Sequence, residues 1–239
     1  MTNADGIARY VDEAWMKAWV ANREVVPRVA RKIVEVHLRG HRVYAFGSGH
    51  SHMLVEEMYY RAGGLTIVSP IWEPSLMLHE DAERSSVLEQ TPGISRTILD
   101  RVHFEAGDLL WLISNSGRNP LIVELAAAAK LQGASVIALM SLTHALAVTP
   151  RSVSHQRLND IADEVIDNGG VLGDAGYYIE GLAQPMFPTS TMVGAGLVNW
   201  IWVEVARQLM EAGVTPTVLT SFNVDQELPQ DSGCGVSDA

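Results

Sequence analysis

Residues 42–51 read Arg-Val-Tyr-Ala-Phe-Gly-Ser-Gly-His-Ser, a short apolar run that passes straight into a glycine- and serine-rich turn. Met53-Leu-Val-Glu-Glu-Met-Tyr59 then continues with apolar residues at helical spacing. The layout recurs at residues 108–119, Asp-Leu-Leu-Trp-Leu-Ile-Ser-Asn-Ser-Gly-Arg-Asn, after which Pro120 opens an Ala-rich helix running to Leu131. Strand, small-residue turn and helix thus follow one another twice. Runs that are apolar throughout, alternating with helices, belong to a parallel sheet covered on both faces.

Working outward from these two segments, the remaining strands are expected at Leu65–Val68, Ser135–Met140 and Glu164–Ile166. The fold class is therefore α/β, with a five-stranded parallel flavodoxin-like sheet in the order 2-1-3-4-5. In that order strands one and three are neighbours, their helices go to opposite faces, and both turns border one crevice. Ahead of the sheet, Ile7, Val11, Trp15 and Ala18, then Val26, Val29, Ile33 and Val36, predict two amphipathic helices within residues 5–38, or one broken near Pro27. Behind it, Thr189-Ser-Thr191 reads as a helix start. Met192 to Ala212 is apolar around most of its circumference, with Gly194 and Gly196 permitting close approach, so this helix is buried on more than one side.

These helices offer more apolar face than one sheet can cover, which leads to the expectation of a homodimer or homotetramer. Residues 69–102 carry Pro70, Pro74, Pro92 and many polar groups but few strand signals, and a connection of that length is functional or partly helical. A single domain is expected over residues 1–224. The tail 225–239 has no periodicity and reads as flexible or as an intersubunit segment.

A chain of 239 residues with 47% hydrophobic content can bury one sizeable core. Its formal charge of −11 and the lack of any long basic run argue against a nucleic-acid partner. A small anion remains compatible, since main-chain amides and a local arginine supply positive field. The single cysteine, Cys234, cannot form an intramolecular disulfide, and the N-terminal residues lack a signal-peptide core, so a cytoplasmic protein is expected. Met192–Val205 is too short for a membrane span and contains Asn199 and Glu204. No spacing resembles a metal site, and no cofactor is expected: the first turn lacks the third glycine of a dinucleotide fingerprint, and no Gly-Lys-Ser/Thr follows a strand.

Turns between strand and helix expose unpaired N–H groups at the positive end of a helix dipole. The first offers Ser48, Gly49 and Ser51, the second Ser114, Asn115, Ser116 and Asn119. Either turn alone is equally well a tight turn with a capping serine. Both together, after strands one and three, point to one shared anion.

The motifs Gly-Ser-Gly-x-Ser and Ser-Asn-Ser-Gly-x-Asn, with the Thr-Ser-Thr helix start, resemble the SIS (sugar isomerase) domain from about Tyr10 to Asn223. Glu164-Val-Ile-Asp-Asn-Gly169 and Ser221-Phe-Asn-Val-Asp225 resemble a stand-alone subgroup of these phosphosugar isomerase-like proteins. The resemblance implies that Ser48, Ser51, Ser114, Ser116 and Asn119 grip a sugar phosphate. Asn119 stands where many relatives carry Ser or Thr, and Ser154-His-Gln156 departs from the Ser-Gly-Lys of the subgroup. The implied chemistry is aldose–ketose interconversion of an (amino)sugar phosphate through an enediol, which needs an acid/base side chain. Glu80 and His79 are the favoured candidates, with Glu83 and Glu89 behind them. Glu57 or Glu56 on the first helix, and His50 and His52 beside the turn, are further ones. A non-catalytic phosphosugar sensor and a sugar-phosphate lyase stand as alternatives.

Overall fold

The computed structural model describes residues 3–223. Five parallel strands, β1 (Val43–Gly47), β2 (Val68–Pro70), β3 (Leu109–Ile113), β4 (Ser135–Met140) and β5 (Glu164–Asp167), form one sheet in the order β2-β1-β3-β4-β5. The expected strand order and direction are those observed. Every residue of β1 and β3 is buried, as the continuous apolar runs require.

Because side chains alternate between faces along a strand, the sheet splits its apolar residues between two layers. Val43, Ala45, Leu109, Trp111 and Ile137 face α1 (Asn3–Asn22), α2 (Val25–Leu38), α3 (His52–Met58) and α8 (Ser190–Glu211). Tyr44, Phe46, Leu110, Leu112 and Val136 face α5 (Arg96–Leu99) and α6 (Pro120–Leu131), with Leu88 of α4 (Ala82–Leu88) at the margin. At Gly194 of α8 a Cβ would stand 2.5 Å from Leu54 Cδ1, so glycine sets how closely α8 rests on α3.

Polar groups fix the sheet's edges. Asn22, at the end of α1 and fully buried, donates from Nδ2 to Ala18 O at 2.6 Å and Asp167 O at 2.7 Å, and its Oδ1 accepts from Asp167 N at 3.1 Å. Its carboxamide thereby completes edge strand β5 as a neighbouring strand would. At the opposite end of the strands, Asp108 accepts from Arg42 N at 2.9 Å and Glu105 N at 2.8 Å.

Two details differ from the sequence reading, and a third decides between its alternatives. The second strand begins at Val68 rather than Leu65, because Leu65 instead makes an antiparallel bridge with Val218, flanked by Gly63 N donating to Leu219 O at 2.8 Å. Residues 175–188 contain an unanticipated antiparallel pair, β6 (Ala175–Tyr177) and β7 (Met186–Pro188), each too short to show periodicity. The N-terminal helices part at residues 23–24, and Pro27 falls in the first turn of α2, where its missing N–H is not needed. The tail 225–239, with Cys234, lies outside the described residues. No described helix is long and apolar enough to cross a membrane.

Candidate functional site

The carboxyl ends of β1 and β3 point the same way and lie side by side, so the segments that leave them, residues 48–51 and 114–119, meet. They border a cavity of about 480 Å³. All seven residues read from the sequence as anion ligands, Ser48, Gly49, Ser51, Ser114, Asn115, Ser116 and Asn119, line it. Gly117 holds the second turn at φ 58°, a conformation that favours glycine, and a Cβ there would crowd Met140 Cε at 2.5 Å and Leu158 Cβ at 3.1 Å where the loop folds back over β4.

Hydrogen bonding leaves several donors of these loops available. Ser114 Oγ accepts from Gly117 N at 3.2 Å and keeps its own hydrogen to donate. Asn115 Oδ1 accepts from Asn168 Nδ2 at 2.9 Å, which ties the β3 loop to the end of β5. Asn119 sits at the N-cap of α6 with extended backbone, but its side chain does not cap the helix.

That side chain is engaged by Glu89, which follows α4 in the long connection after β2. Glu89 accepts from Asn119 Nδ2 at 2.9 Å and from Ser48 Oγ at 2.9 Å, one donor from each loop. Arg151 in turn donates to Asn119 Oδ1 at 3.1 Å. Burial pushes the Glu89 carboxyl above the ordinary carboxylate range, against the opposing pull of Ser48, Arg151 and Asn119. Among the candidates after β2, only Glu89 lines the cavity.

The far wall comes from residues that the sequence reading did not name as ligands or catalysts, although Asn168 and Ser190 belong to stretches it quoted. His144 lies on α7 (Leu142–Ala147), which starts immediately beyond β4, and its Nδ1 is buried without a hydrogen-bond partner. Burial, helped by the charge of Arg118 and resisted by Asp174, holds its imidazolium below the usual pKa. Asp174, at φ 71°, accepts from Ser190 N at 2.9 Å, Thr189 N at 3.2 Å and Ser190 Oγ at 2.6 Å. Its carboxylate therefore occupies the amino end of α8. The cavity thus has a carboxyl group on each side, Glu89 between the loops after β1 and β3 and Asp174 at the start of α8, with the hydroxyls of Ser51, Ser114 and Ser116 between them in the lining.

Six of the candidates for acid/base work do not line this space. Glu80 and His79 are exposed and outside the lining, although the His79 ring packs edge-on to His52 with centroids 5.9 Å apart. Glu57 accepts from Arg61 Nη1 at 2.7 Å and Asn199 Nδ2 at 2.7 Å on the α3–α8 flank. Glu83 and Glu56 are exposed, His52 is buried against Gly49 O, and His50 lines the cavity from an exposed position. A signal for the missed residues existed: Asn168 directly follows the fifth strand and His144 lies four residues beyond the fourth, and the carboxyl ends of these strands border a ligand crevice in open α/β sheets. Among the described residues no cluster of three metal-ligating side chains occurs.

Residues 8–141 match the family model of the SIS domain. The chain is 41% identical over 202 residues to a UPF0309 protein of Halalkalibacterium halodurans, an alignment covering 84% of each chain. It is 38% identical to a UPF0309 protein of Geobacillus thermodenitrificans, over 85% of this chain and 82% of the relative. Among solved structures, the phosphoheptose isomerase of Neisseria gonorrhoeae shares the fold with a TM-score of 0.52 at 16% identity, over 85% of this chain and 98% of that one. The phosphoheptose isomerase of Francisella tularensis also has a TM-score of 0.52, at 17% identity, over 87% of this chain and all of the other.

Proposed function

This chain belongs to the SIS domain family, and from that premise we propose that its cavity binds a phosphorylated sugar and interconverts the aldose and ketose forms through an enediol. The observation that carries the reading is Glu89 accepting one hydrogen bond from each of the two loops, which puts a buried carboxyl between Ser48 and Asn119 at the cavity wall. In this reading the hydroxyls of Ser51, Ser114 and Ser116, with main-chain groups of Ser48, Gly49 and Asn115 and the second amide hydrogen of Asn119, hold the phosphate, since the Ser48 hydroxyl hydrogen already goes to Glu89. The sugar extends toward His144 and Asn168.

Glu89 takes the role first sought in Glu80, His79 and Glu57, because those three lie outside the lining. It removes the proton from carbon 2 of the aldose while His144 delivers one to the carbonyl oxygen on carbon 1. The enediol then gives up its carbon-2 hydroxyl proton to His144, and Glu89 returns its proton to carbon 1. A carboxyl whose pKa is raised by burial is a stronger base when ionised, and an imidazole kept neutral can act in either direction.

Nuclear magnetic resonance of a phosphosugar panel in heavy water tests this directly. Wash-in of deuterium at carbon 2 or carbon 1 of a bound sugar phosphate is expected. Tight binding with no exchange would replace the isomerase reading with that of a sensor, which needs the serines but no base.

Assembly belongs to the same reading. Met16, Trp19 and Val20 on α1 and Val203 on α8 are exposed, and the Trp19 and Trp200 rings stack with centroids 3.9 Å apart, leaving an aromatic, apolar strip on the surface. A second copy covering that strip gives a homodimer or a higher even assembly of single-domain subunits. Sedimentation at micromolar concentration should show it, and a monomer there would contradict it.

A further inference from the structure

Three arginines gather beside the cavity that the reading above does not use. Arg118 lies within the second turn, between Ser116 and Asn119, while Arg151 and Arg157 come from the connection after α7. Main-chain bonds hold the two segments together: Arg151 N donates to Arg118 O at 2.9 Å, and Leu158 N donates to Gly117 O at 2.8 Å. Arg151 donates to Asn119 Oδ1 at 3.1 Å, and Arg157 Nη2 donates to Val148 O at 2.9 Å. The Nε atoms of Arg118 and Arg157 are buried and meet no acceptor.

None of the three guanidiniums comes within ion-pair distance of a carboxylate among the described residues, whereas Arg28, Arg61, Arg101 and Arg207 all do, and of the three Arg151 alone acts on a nearby carboxyl, that of Glu89. The charges feel one another. Burial, then Arg151 and Arg157, hold the Arg118 guanidinium below its ordinary pKa. In a chain with 28 acidic against 17 basic residues, a counter-charge from the protein itself would be easy to supply. Two buried Nε donors without an acceptor, Arg118 and Arg157, beside like charges, instead match an anion from solution. The planar fork of arginine fits phosphate and carboxylate oxygens two at a time.

We propose that Arg118, Arg151 and Arg157 form an anion subsite at the rim of the cavity, distinct from the serine cradle, for a phosphate or carboxylate group. Such a group comes either as a second charged substituent on the cavity ligand or as a separate small anion.

Equilibrium dialysis with labelled inorganic phosphate, at low ionic strength on the full chain, tests the subsite. Wild-type protein should bind two equivalents, Ser114→Ala/Ser116→Ala one, and Arg118→Gln/Arg157→Gln one, with none left when the serine and arginine replacements are combined. Arg151→Gln, at an exposed position, gives the same direction of change in a variant whose fold is not at risk. Unchanged stoichiometry and affinity in both arginine variants overturns the proposal. Loss of one equivalent in the arginine variants with both retained in the serine variant would instead sink the cradle and leave the subsite standing. Fructose 1,6-bisphosphate and fructose 6-phosphate then separate the sources. A preference for the bisphosphate that needs the arginines assigns the subsite to the same ligand, and inorganic phosphate binding on top of fructose 6-phosphate assigns it to a separate anion. Neither behaviour, with phosphate binding to the wild type alone, also counts against the proposal.

Discussion

Replacing Glu89 by glutamine separates holding from turnover. The side chain accepts two hydrogen bonds, from Ser48 Oγ and Asn119 Nδ2, and a hydroxyl can serve as acceptor as well as donor. In the Glu89→Gln variant the new carboxamide would accept from Asn119 with its carbonyl and donate to Ser48 with its amide, so both contacts survive in an isosteric frame. Each such bond contributes on the order of 1 kcal/mol net, and since neither is lost the affinity for a sugar phosphate should change less than about threefold. The proton acceptor, by contrast, is gone. Removal of a positioned general base lowers the rate by about 10² to 10⁴, so deuterium exchange at carbon should fall by that factor with binding intact.

The pH dependence follows from the raised carboxyl. Exchange by the wild type should climb as pH rises through the folded Glu89 value, above the ordinary carboxylate range, where the base form appears. For stability the sign is opposite. Below the unfolded Glu value both states are protonated and nothing is lost, and as pH rises through the folded value ionisation of a buried carboxyl costs stability. The glutamine variant should therefore gain stability over wild type at neutral pH and lose that advantage in acid. Calorimetric binding, heavy-water exchange and thermal melts at several pH values measure all three. Wild-type exchange in the glutamine variant would refute the assignment of the base, and lost binding with a normal melt would show that the charge serves the ligand.

Ser114→Ala with Ser116→Ala should weaken phosphosugar binding by roughly 10²-fold, since charge-assisted hydrogen bonds contribute about 1.5 to 3 kcal/mol each, while far-ultraviolet circular dichroism stays unchanged. Equal affinities by calorimetry would remove the cradle. Asn22→Leu keeps the volume but orphans the N–H and C=O of Asp167 at the edge of β5, at about 1 to 3 kcal/mol each. The melting temperature should fall by roughly 5 to 15 °C for a chain of this size, and a shift under about 1 °C would show that water replaces the amide.

Strands β1 and β3 and their turns were legible because the signal is local: an apolar run, then glycine and serine, then helical spacing. β2 was displaced by three residues because its would-be first residue, Leu65, is held by Val218, a partner 153 residues away that no window of sequence contains. The acidic groups after β2 show the same limit at finer scale. Glu80, Glu83 and Glu89 share one polar connection, and only the course of α4 decides which faces inward. Asp81 caps that helix by accepting from Arg84 N, and Ser85 and Glu89, four residues apart, then present the cavity side. That spacing was in the sequence, but the direction of the helix relative to the sheet was not. His144 could have been named, since the expected sheet order already put the fourth strand beside the third, whereas Asp174 lies beyond β5 in a segment whose return to the amino end of α8 no local pattern announces.

With its amino end already neutralised by Asp174, the longest helix offers no pull on incoming phosphate, and the carboxylate itself turns one away. The chamber consequently has a head and a tail. On the proposed reading, a sugar charged at one terminus would place that group at the Ser114 and Ser116 loop, away from Asp174, and electrostatics would then choose which carbon meets Glu89.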